Sequence, residues 1–489
     1  MPRYYLRVDA VNLKNFVYDT NDISTIRGGS LILLEAIKSL REQFSAKLDS
    51  ISTAASMGIF VIRNDAPEKD ELQEIANEVL HYLNDYSKGH ATFVVAIEPE
   101  AEEGFPLTLK KLEAQIHRQQ WRLPTVAIPQ IAVTKQECHI DGWRPGVEDY
   151  RVDPAVTNER ISAATHYRRK QGRQLKHKLL PFIVGQNSDD DEKKDICAKD
   201  LGKLSQLGKK GVLNGKIAVI HADGNSFGKI RHNMCQARED REEFDEKIQI
   251  DFHARFLNAL LKYARDDEEF RTKDEYGQKA HRLEVLLWGG DEMTLVVPAW
   301  KAWQTVELFY QHAKDLAFKE VPLTHCMALI FCHHNAPILQ IRGLAEKLLG
   351  QAKQDISKSI PSHNEGDALH YLALESFDML QGEFDDFLKR YYKKIDYGSL
   401  LLRASELDTI HQNLRIIRQN VARSKLFEII NAIRNDKVRP IDTIKERIGE
   451  LLIGNNRQET EAAIEALTKN NPAGWYLITD LWDYIPEWK

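Results

Sequence analysis

The sequence predicts an α+β protein: two units in which strands alternate with helices, followed by a helical domain. Three observations predict it. Short apolar runs bounded by turn residues alternate with amphipathic stretches across 1–118 and again across 211–380. The region between, 119–210, lacks a clear period and holds a basic run followed by the acidic run "GQNSDDDEKKD". From about 376 the strand signals stop, and 381–489 continues in helical periods alone. A chain of 489 residues is long enough for about three domains at ~150 residues each.

The first unit opens with a strand at "RYYLRVDA". Helical spacing starts from Gly-Gly-Ser in "RGGSLILLEAIKSLREQFSAKL". "STAASMGIFVIRN" reads as one strand, "EKDELQEIANEVLHYLNDY" as a helix, "HATFVVAIE" as a strand and 107–118 as a helix. In the connecting region, 166–178 carries Arg168, Arg169, Lys170, Arg173, Lys176 and Lys178. One aromatic, Tyr167, interrupts this run, so a solvated loop is expected rather than a nucleic-acid surface. The segment 186–210 is expected to be a linker or exposed loop.

In the second unit "GKIAVIHADGNSFGKI" is a strand entering a turn, and "FDEKIQIDFHARFLNALLKYARDDEEF" is a long helix. "RLEVLLWGGDEMTLVVP" is two strands around a tight turn. "WKAWQTVELFYQHAKDLAFK" is a helix and "THCMALIFCHH" a strand. "PILQIRGLAEKLLGQAKQ" is a helix opened by Pro337, and "ALHYLALES" a last strand. The order βαββαβ with an added αβ is a ferredoxin-like core with an extra edge. Helical periods follow at "FDMLQGEFDDFLKRYYKK", "SELDTIHQNLRIIRQNVARSKLFEIINAIRND", "PIDTIKERIGELLI" and "RQETEAAIEALTKN". The ending is aromatic-rich, with Trp475, Trp482 and Trp488 expected as packing anchors or an oligomer interface rather than a ligand cage. The strand ends "LRVDAVNLKNF" and "AVIHADGNSFGKI" place Asp9 and Asp223 alike. A diverged internal duplication or two unrelated units would each explain this.

Composition narrows the function classes. At 43% hydrophobic and 29% charged residues, with net charge -6 and pI near 6.3, the chain is not built to coat nucleic acid over its whole surface. The five cysteines include no CxxC pair, which fits free thiols in a reducing compartment. No apolar run approaches ~18 residues and "MPRYYLRVDA" lacks a signal-peptide layout, so a cytoplasmic protein without a membrane span is expected.

The chemistry concentrates at "LLWGGDEMTLV". Gly289 and Gly290 suit a tight turn, and Asp291 and Glu292 follow at its mouth. Turns rich in Gly and Asp are common, so the hairpin alone identifies nothing. Asp223, however, ends an apolar strand that neighbours this hairpin in a ferredoxin-like sheet. Converging carboxylates repel and need a cation, and hard oxygen donors suit Mg²⁺ or Mn²⁺. After Asp223 come Gly224, Asn225, Ser226, Phe227 and Gly228, a turn whose backbone N–H groups suit phosphate. Lys353, at the end of an apolar helical face, is positioned by this topology to neutralise a triphosphate.

These segments, in this order, resemble the second palm domain of the large polymerase subunit of type III CRISPR effector complexes. More distantly they resemble GGDEF nucleotide cyclases. "DAVNLKNFVYDTNDISTIRGGSLILL" looks like the first palm of the same subunit. The resemblance covers roughly 1–115 and 212–380. It implies an α+β protein of two ferredoxin-like palms, the second catalytic, plus the C-terminal helical domain. It also implies condensation of nucleoside triphosphates, ATP favoured. Asp223, Asp291 and Glu292 would be the metal-holding catalytic acids. Gly224, Asn225, Ser226, Phe227, Gly228, Gly289, Gly290 and Lys353 would bind the nucleotide.

Four departures stand out. Asn225 replaces an acid often found two residues after the first Asp. The first palm shows no Gly-Gly-Asp hairpin, only "HATFVVAIE", which reads as structural. The chain holds no adjacent His-Asp pair of the kind a fused nuclease domain would carry. "CHIDGWRP" stands where relatives carry zinc cysteines, leaving Cys138, His139 and Cys197 as weak zinc candidates. The expected function is a nucleotidyltransferase making a cyclic or oligomeric nucleotide signal in antiviral defence. The alternatives are a non-catalytic palm scaffold of an RNA-guided CRISPR-type complex and, more distantly, a diguanylate-cyclase-like enzyme. RNA, CRISPR-type proteins or a second copy of the chain are the partners in view.

Overall fold

The computed structural model describes residues 3–53, 56–64, 67–122, 136–153, 156, 158–174, 176, 180, 197–207, 211–273, 277–359, 366–375, 383–434, 456–468 and 471–485. Among them, no helix is long and apolar enough to cross a membrane.

The first unit is built from β1 (Tyr4–Val11), α1 (Leu13–Val17), α2 (Ile23–Gln43), β2 (Leu48–Ser52), β3 (Met57–Ile62), α3 (Lys69–Tyr86), β4 (Thr92–Pro99) and α4 (Phe105–Arg122). Its antiparallel sheet has the order β2-β3-β1-β4, that of a ferredoxin-like fold. Two sequence expectations change here. "STAASMGIFVIRN" is not one strand: its second half is β3, paired as a hairpin with β2, which spans the junction between the expected helix ending at Leu48 and the expected strand starting at Ser52. The helix expected to start at Gly28-Gly29 starts earlier. Asp22 caps it, accepting from Thr25 N at 2.9 Å, and it runs through both glycines.

The reason lies in the connecting region. This region contains the ribbon β5 (Val147–Arg151) with β6 (Arg160–Ile161), α5 (Ala163–Gln174) and α6 (Leu201–Ser205). A Cβ on Gly28 would lie 1.8 Å from the Arg168 carbonyl oxygen, and one on Gly172 would lie 1.9 Å from that of Ser24. Helices α2 and α5 thus cross at two glycines. The basic run is therefore a packing helix, not the solvated loop expected. Arg168 is fully buried, bonded to both carboxylate oxygens of Asp19 at 2.8 Å and stacked 5.2 Å from the Phe16 ring. Arg169 bonds the Val152 carbonyl oxygen at 3.0 Å. Lys178 and most of the expected linker 186–210 lie outside the described residues.

The second unit contains β7 (Lys216–Gly224), α7 (Phe227–Met234), α8 (Arg238–Glu246), a π-helical stretch (Lys247–Ala254) and α9 (Arg255–Asp266). The ribbon β8 (Arg271–Lys273) with β9 (Lys279–His281) follows. Then come β10 (Glu284–Gly289), β11 (Glu292–Pro298), α10 (Ala302–Ala313), the ribbon β12 (Ala317–Phe318) with β13 (Val321–Pro322), β14 (His325–His333), α11 (Ile338–Ser359) and β15 (Ala368–Ala373). The long helix expected over 244–270 is thus interrupted by the π turn. The sheet order is β10-β11-β7-β14-β15-β16. Its first four strands repeat the topology of the first unit, and β15 adds in parallel to β14. Strand β7 is central, so its apolar run "KIAVIHA" is buried on both faces.

The sixth strand, β16 (Leu402–Arg403), comes from the region expected to be wholly helical. Around it stand α12 (Phe384–Tyr391), α13 (Leu407–Asn420), α14 (Arg423–Arg434), α15 (Arg457–Thr468) and α16 (Ala473–Leu481). Trp475 and Trp482 are buried there. Trp488, the helix read at "PIDTIKERIGELLI" and the start of the one read at "FDMLQG" lie outside the described residues.

Candidate functional site

Asp223 sits at the carboxyl end of β7, in register with Glu292 of β11 on one side and Cys326 of β14 on the other. The turn behind it is tightly specified. A Cβ on Gly224 would fall 2.5 Å from the Phe227 ring, so Phe227 is a buried anchor beneath the turn and offers only its backbone above. Asn225 donates through Nδ2 to the Gly366 carbonyl oxygen at 2.7 Å and to Thr324 Oγ1 at 3.1 Å. A carbonyl only accepts, which fixes the orientation of this amide. Its Oδ1 is buried with no hydrogen-bond partner in the described structure. Ser226, exposed, takes the left-handed conformation at φ 59° and opens α7. Gly228 faces open space.

In the hairpin, Gly289 pairs with Glu292, leaving Gly290 and Asp291 as the two central turn residues. Gly290 has φ 58° with nothing near its missing Cβ. A positive φ at the first central position is what a type II′ turn assigns to glycine. Asp291 therefore lies in the turn itself rather than on the strand. Burial, then the nearby Asp223 carboxylate, push its carboxyl above the usual range, opposed by Arg231 and Lys353.

Glu292 faces different neighbours. Its Oε1 is 3.6 Å from His221 Nε2 and 3.9 Å from an Arg342 nitrogen, and burial pushes its carboxyl up to about 7. His221 holds Thr294 Oγ1 at 2.9 Å through Nδ1. Burial, then Arg342, bring it down to about 4, so the ring is neutral. Arg342 bonds Glu346 at 2.7 Å and stacks 3.5 Å from the ring of Tyr18 in the first unit.

Lys353 reaches in from α11. Its Nζ donates to Asp223 Oδ2 at 2.5 Å and to the Gly224 carbonyl oxygen at 2.9 Å. Arg342, Glu346 and Lys353 follow helical spacing, so one face of α11 borders the acids. A cleft of about 400 Å³ opens between the two units. His221, Asp223, Glu292 and Arg342 stand on one wall, and Tyr18 and Ser56 on the other.

The oxygen set fits a hard divalent cation. Burial and the neighbouring Asp223 charge raise the cost of ionising Asp291, and an ammonium already bonds an Asp223 oxygen and the Gly224 carbonyl that a metal would use. Among the described residues no group of three or more His, Cys, Asp or Glu side chains is arranged to hold a metal. Mg²⁺ is ordinarily held by one or two carboxylates plus substrate phosphates, so no closed protein cage is required.

The first unit repeats the backbone and the strand-end Asp but not the two hairpin acids. Asp9 precedes Asn12 by three residues as Asp223 precedes Ser226. Asn12, like Ser226, is left-handed, at φ 61°, and opens a short helix. Asp9 pairs with Met57, the first residue of β3, as Asp223 pairs with Glu292, the first residue of β11. Ser56 and Met57 thus stand where Asp291 and Glu292 stand. Asp9 is bonded by Arg7 at 2.8 and 2.9 Å. The counterpart of the acidic hairpin is β2–β3, not "HATFVVAIE".

The structure therefore brings Asp223, Gly224, Asp291 and Lys353 together, sets Glu292 beside them, and leaves Phe227 and Asn225 as supports of the turn. Sequence reading missed His221 and Arg342. Both carry a periodic signal: His221 is two residues before Asp223 on one strand face, and Arg342 is eleven before Lys353 on one helix face. It also missed Tyr18 and Arg231, for which no signal was present. No zinc site forms among the described residues. Cys138 accepts from the Asp141 amide at 3.5 Å, whereas the backbone of Cys197 forms a parallel β-bridge with that of His281. Asp141 accepts from Thr165 Oγ1 at 2.7 Å and from Ser162 Oγ at 3.0 Å. His334 turns its Nδ1 to the Gly215 carbonyl oxygen at 3.0 Å.

Residues 216–360 match a family described as Cas10/Cmr2, second palm domain. Solved structures of similar fold include Csm1 in T. onnurineus (14% identity, TM-score 0.53, covering 99% of this chain and 69% of that one). A Csm1–Csm4 cassette in complex with AMPPNP is similar at 14% identity and TM-score 0.52, with the same coverage. The cassette in complex with cA4 is similar at 13% and 0.51, covering 99% of this chain and 65% of that one. At such identity the likeness concerns the fold, and this chain spans about two thirds of the length of those chains. No curated protein matches by sequence. The family match and the folds support the resemblance to the palm-domain subunit of type III CRISPR complexes, and an architecture of palms with a helical region.

Proposed function

We propose that this chain, which carries a Cas10/Cmr2-type second palm at residues 216–360, is a metal-dependent nucleotidyltransferase. It would condense nucleoside triphosphates, ATP favoured, into a cyclic or oligomeric nucleotide used as a signal in antiviral defence. The observation that carries this reading is the meeting of Asp223 and Asp291 at the sheet end, with Lys353 bridging Asp223 and the Gly224 carbonyl. The preference for adenine rests on the relatives solved with cA4, AMPPNP and pppApApA, not on any residue here.

Asp223 and Asp291 would hold Mg²⁺ or Mn²⁺, which supplies charge neutralisation at the reacting phosphate when bound. The chain's own groups do the rest. The amides of the turn at Ser226, Phe227 and Gly228 face the phosphates, with Gly224 and Gly289–Gly290 allowing close approach. Lys353 transfers its ammonium from Asp223 to the triphosphate. The apolar and aromatic cleft walls exclude water, and Arg342 supplies a second cation opposite Tyr18. A 3′-hydroxyl held in line attacks the α-phosphorus of a second nucleotide. The new P–O bond forms as the bond to pyrophosphate breaks, and the hydroxyl proton passes to solvent.

The test is incubation with ATP or GTP and Mg²⁺ or Mn²⁺, following pyrophosphate and nucleotide products, beside Asp291→Ala. Product formed by the native chain and lost in the variant supports the reading. Silence of both, with RNA or protein partners co-purifying, would instead establish a scaffold subunit.

A further inference from the structure

Glu284 opens β10, the outer strand of the acidic hairpin, and is almost fully buried. Its partner is Arg27, equally buried, from α2 of the other palm. Nε of Arg27 donates to Glu284 Oε1 at 2.7 Å and a terminal nitrogen bonds Oε2, a two-pronged contact. The remaining nitrogen of Arg27 donates to the Gly172 carbonyl oxygen of α5 at 2.8 Å. Lys176, just beyond α5, lies 3.7 Å from Glu284 Oε2 and bonds the carbonyl oxygens of Ala198 and Lys199. Ala198 in turn donates to the His281 carbonyl oxygen at 2.7 Å, next to the start of β10. First palm, connecting helix and hairpin strand meet on one carboxylate.

The location makes the contact mechanically sensitive. Among the described residues strand β10 is the edge of its sheet and pairs only with β11, and its register shifts between Val285 and Leu287, just past Glu284. From Glu284 to Asp291 the hairpin arm extends roughly 20 Å at about 3.3 Å per residue, so a small tilt at the base displaces the acidic tip. The glycine crossing of α2 on α5 leaves the other side of the joint rigid. A buried ion pair of this kind does little for net stability, since an apolar pair of similar volume packs about as well. Its value lies in direction: the fork fixes angle as well as distance.

We propose that Arg27 and Glu284 are positioning residues, a joint through which the first palm and the connecting helix set where the acidic hairpin stands. The activity arm of its test rests on the proposed nucleotidyl transfer; the structural arm does not. In Arg27→Met/Glu284→Met, melting stays near that of the native chain. Hydrogen exchange of amides 285–292 rises at least about tenfold while that of β14 is unchanged. Turnover falls about tenfold or more with KM for the triphosphate nearly constant. Arg27→Lys keeps the charge but loses the fork. It is expected to give the same pattern at smaller amplitude, and it decides the matter should the double variant fail to fold. Native hairpin exchange in both variants overturns the joint, as does raised exchange with undiminished turnover. A native chain that makes no product refutes the proposed function alone, and the exchange arm then still decides this one.

Discussion

The ammonium of Lys353 lies 2.5 Å from Oδ2 of Asp223 and 2.9 Å from the Gly224 carbonyl oxygen, on the oxygens a divalent cation would use. The lysine therefore competes with a bare metal ion but assists a metal–triphosphate. Lys353→Met should weaken triphosphate binding about tenfold or more, roughly 1.4 kcal/mol. It should tighten Mn²⁺ binding measured without nucleotide. Calorimetry for the first and electron paramagnetic resonance for the second read the two signs separately. Effects of the same sign would contradict the arrangement.

The two hairpin acids differ in their neighbours, so their substitutions should differ in size. Asp223→Asn and Asp291→Asn remove charge from the cation set and should lower turnover by about 10³-fold or more, several kcal/mol in the barrier. Glu292 faces His221 and Arg342, and Glu292→Gln should cost less than about tenfold. Chelation should abolish turnover reversibly in the native chain. Equal losses at Glu292 and Asp291 would show that both acids hold the metal.

Asn225 is a strut of the turn. Asn225→Asp would replace the donor to the Gly366 carbonyl oxygen with a carboxylate facing it. Loss of that buried bond should cost about 1–3 kcal/mol of stability, read as a lower melting temperature, with no gain in turnover. A variant more active than the native chain would mean that an acid here completes the metal site.

Asp480 provides a pH test away from the cleft. It is buried beneath Tyr392, whose hydroxyl donates to it at 2.9 Å, and burial pushes its carboxyl up to about 7. A pKa raised above the unfolded value favours the folded state at low pH. That stability is complete below about 4, the unfolded carboxyl's value, and is lost as pH rises through about 7. Asp480→Asn should therefore melt higher than the native chain at pH 8, with the difference vanishing toward pH 4. A constant difference across that range would assign the effect to packing.

The second palm was legible because its strands are long, apolar and separated by helices, and because Asp223 and the Gly-Gly-Asp-Glu turn interrupt that pattern visibly. Fold periodicity could not reveal that "STAASMGIFVIRN" spans two strands: no Gly or Pro stands between Ser52, the end of β2, and Met57, the start of β3, and Ser56 and Met57 carry no charge to betray their equivalence to Asp291 and Glu292. The helical role of Gly28 and the burial of Arg168 were hidden for another reason. Both depend on α5 crossing α2, a contact between distant segments that no local period encodes.

Among the described residues, both walls of the cleft between the palms, with Tyr18 and Ser56 on one side and His221 and Asp223 on the other, belong to the same polypeptide. A symmetric pair of identical palms would have to meet in solution to build such a cleft, and dilution would dissolve it. Tethering replaces that encounter with an intramolecular one. The two walls are then present in fixed ratio at any protein concentration, and each is free to change without imposing the same change on the other.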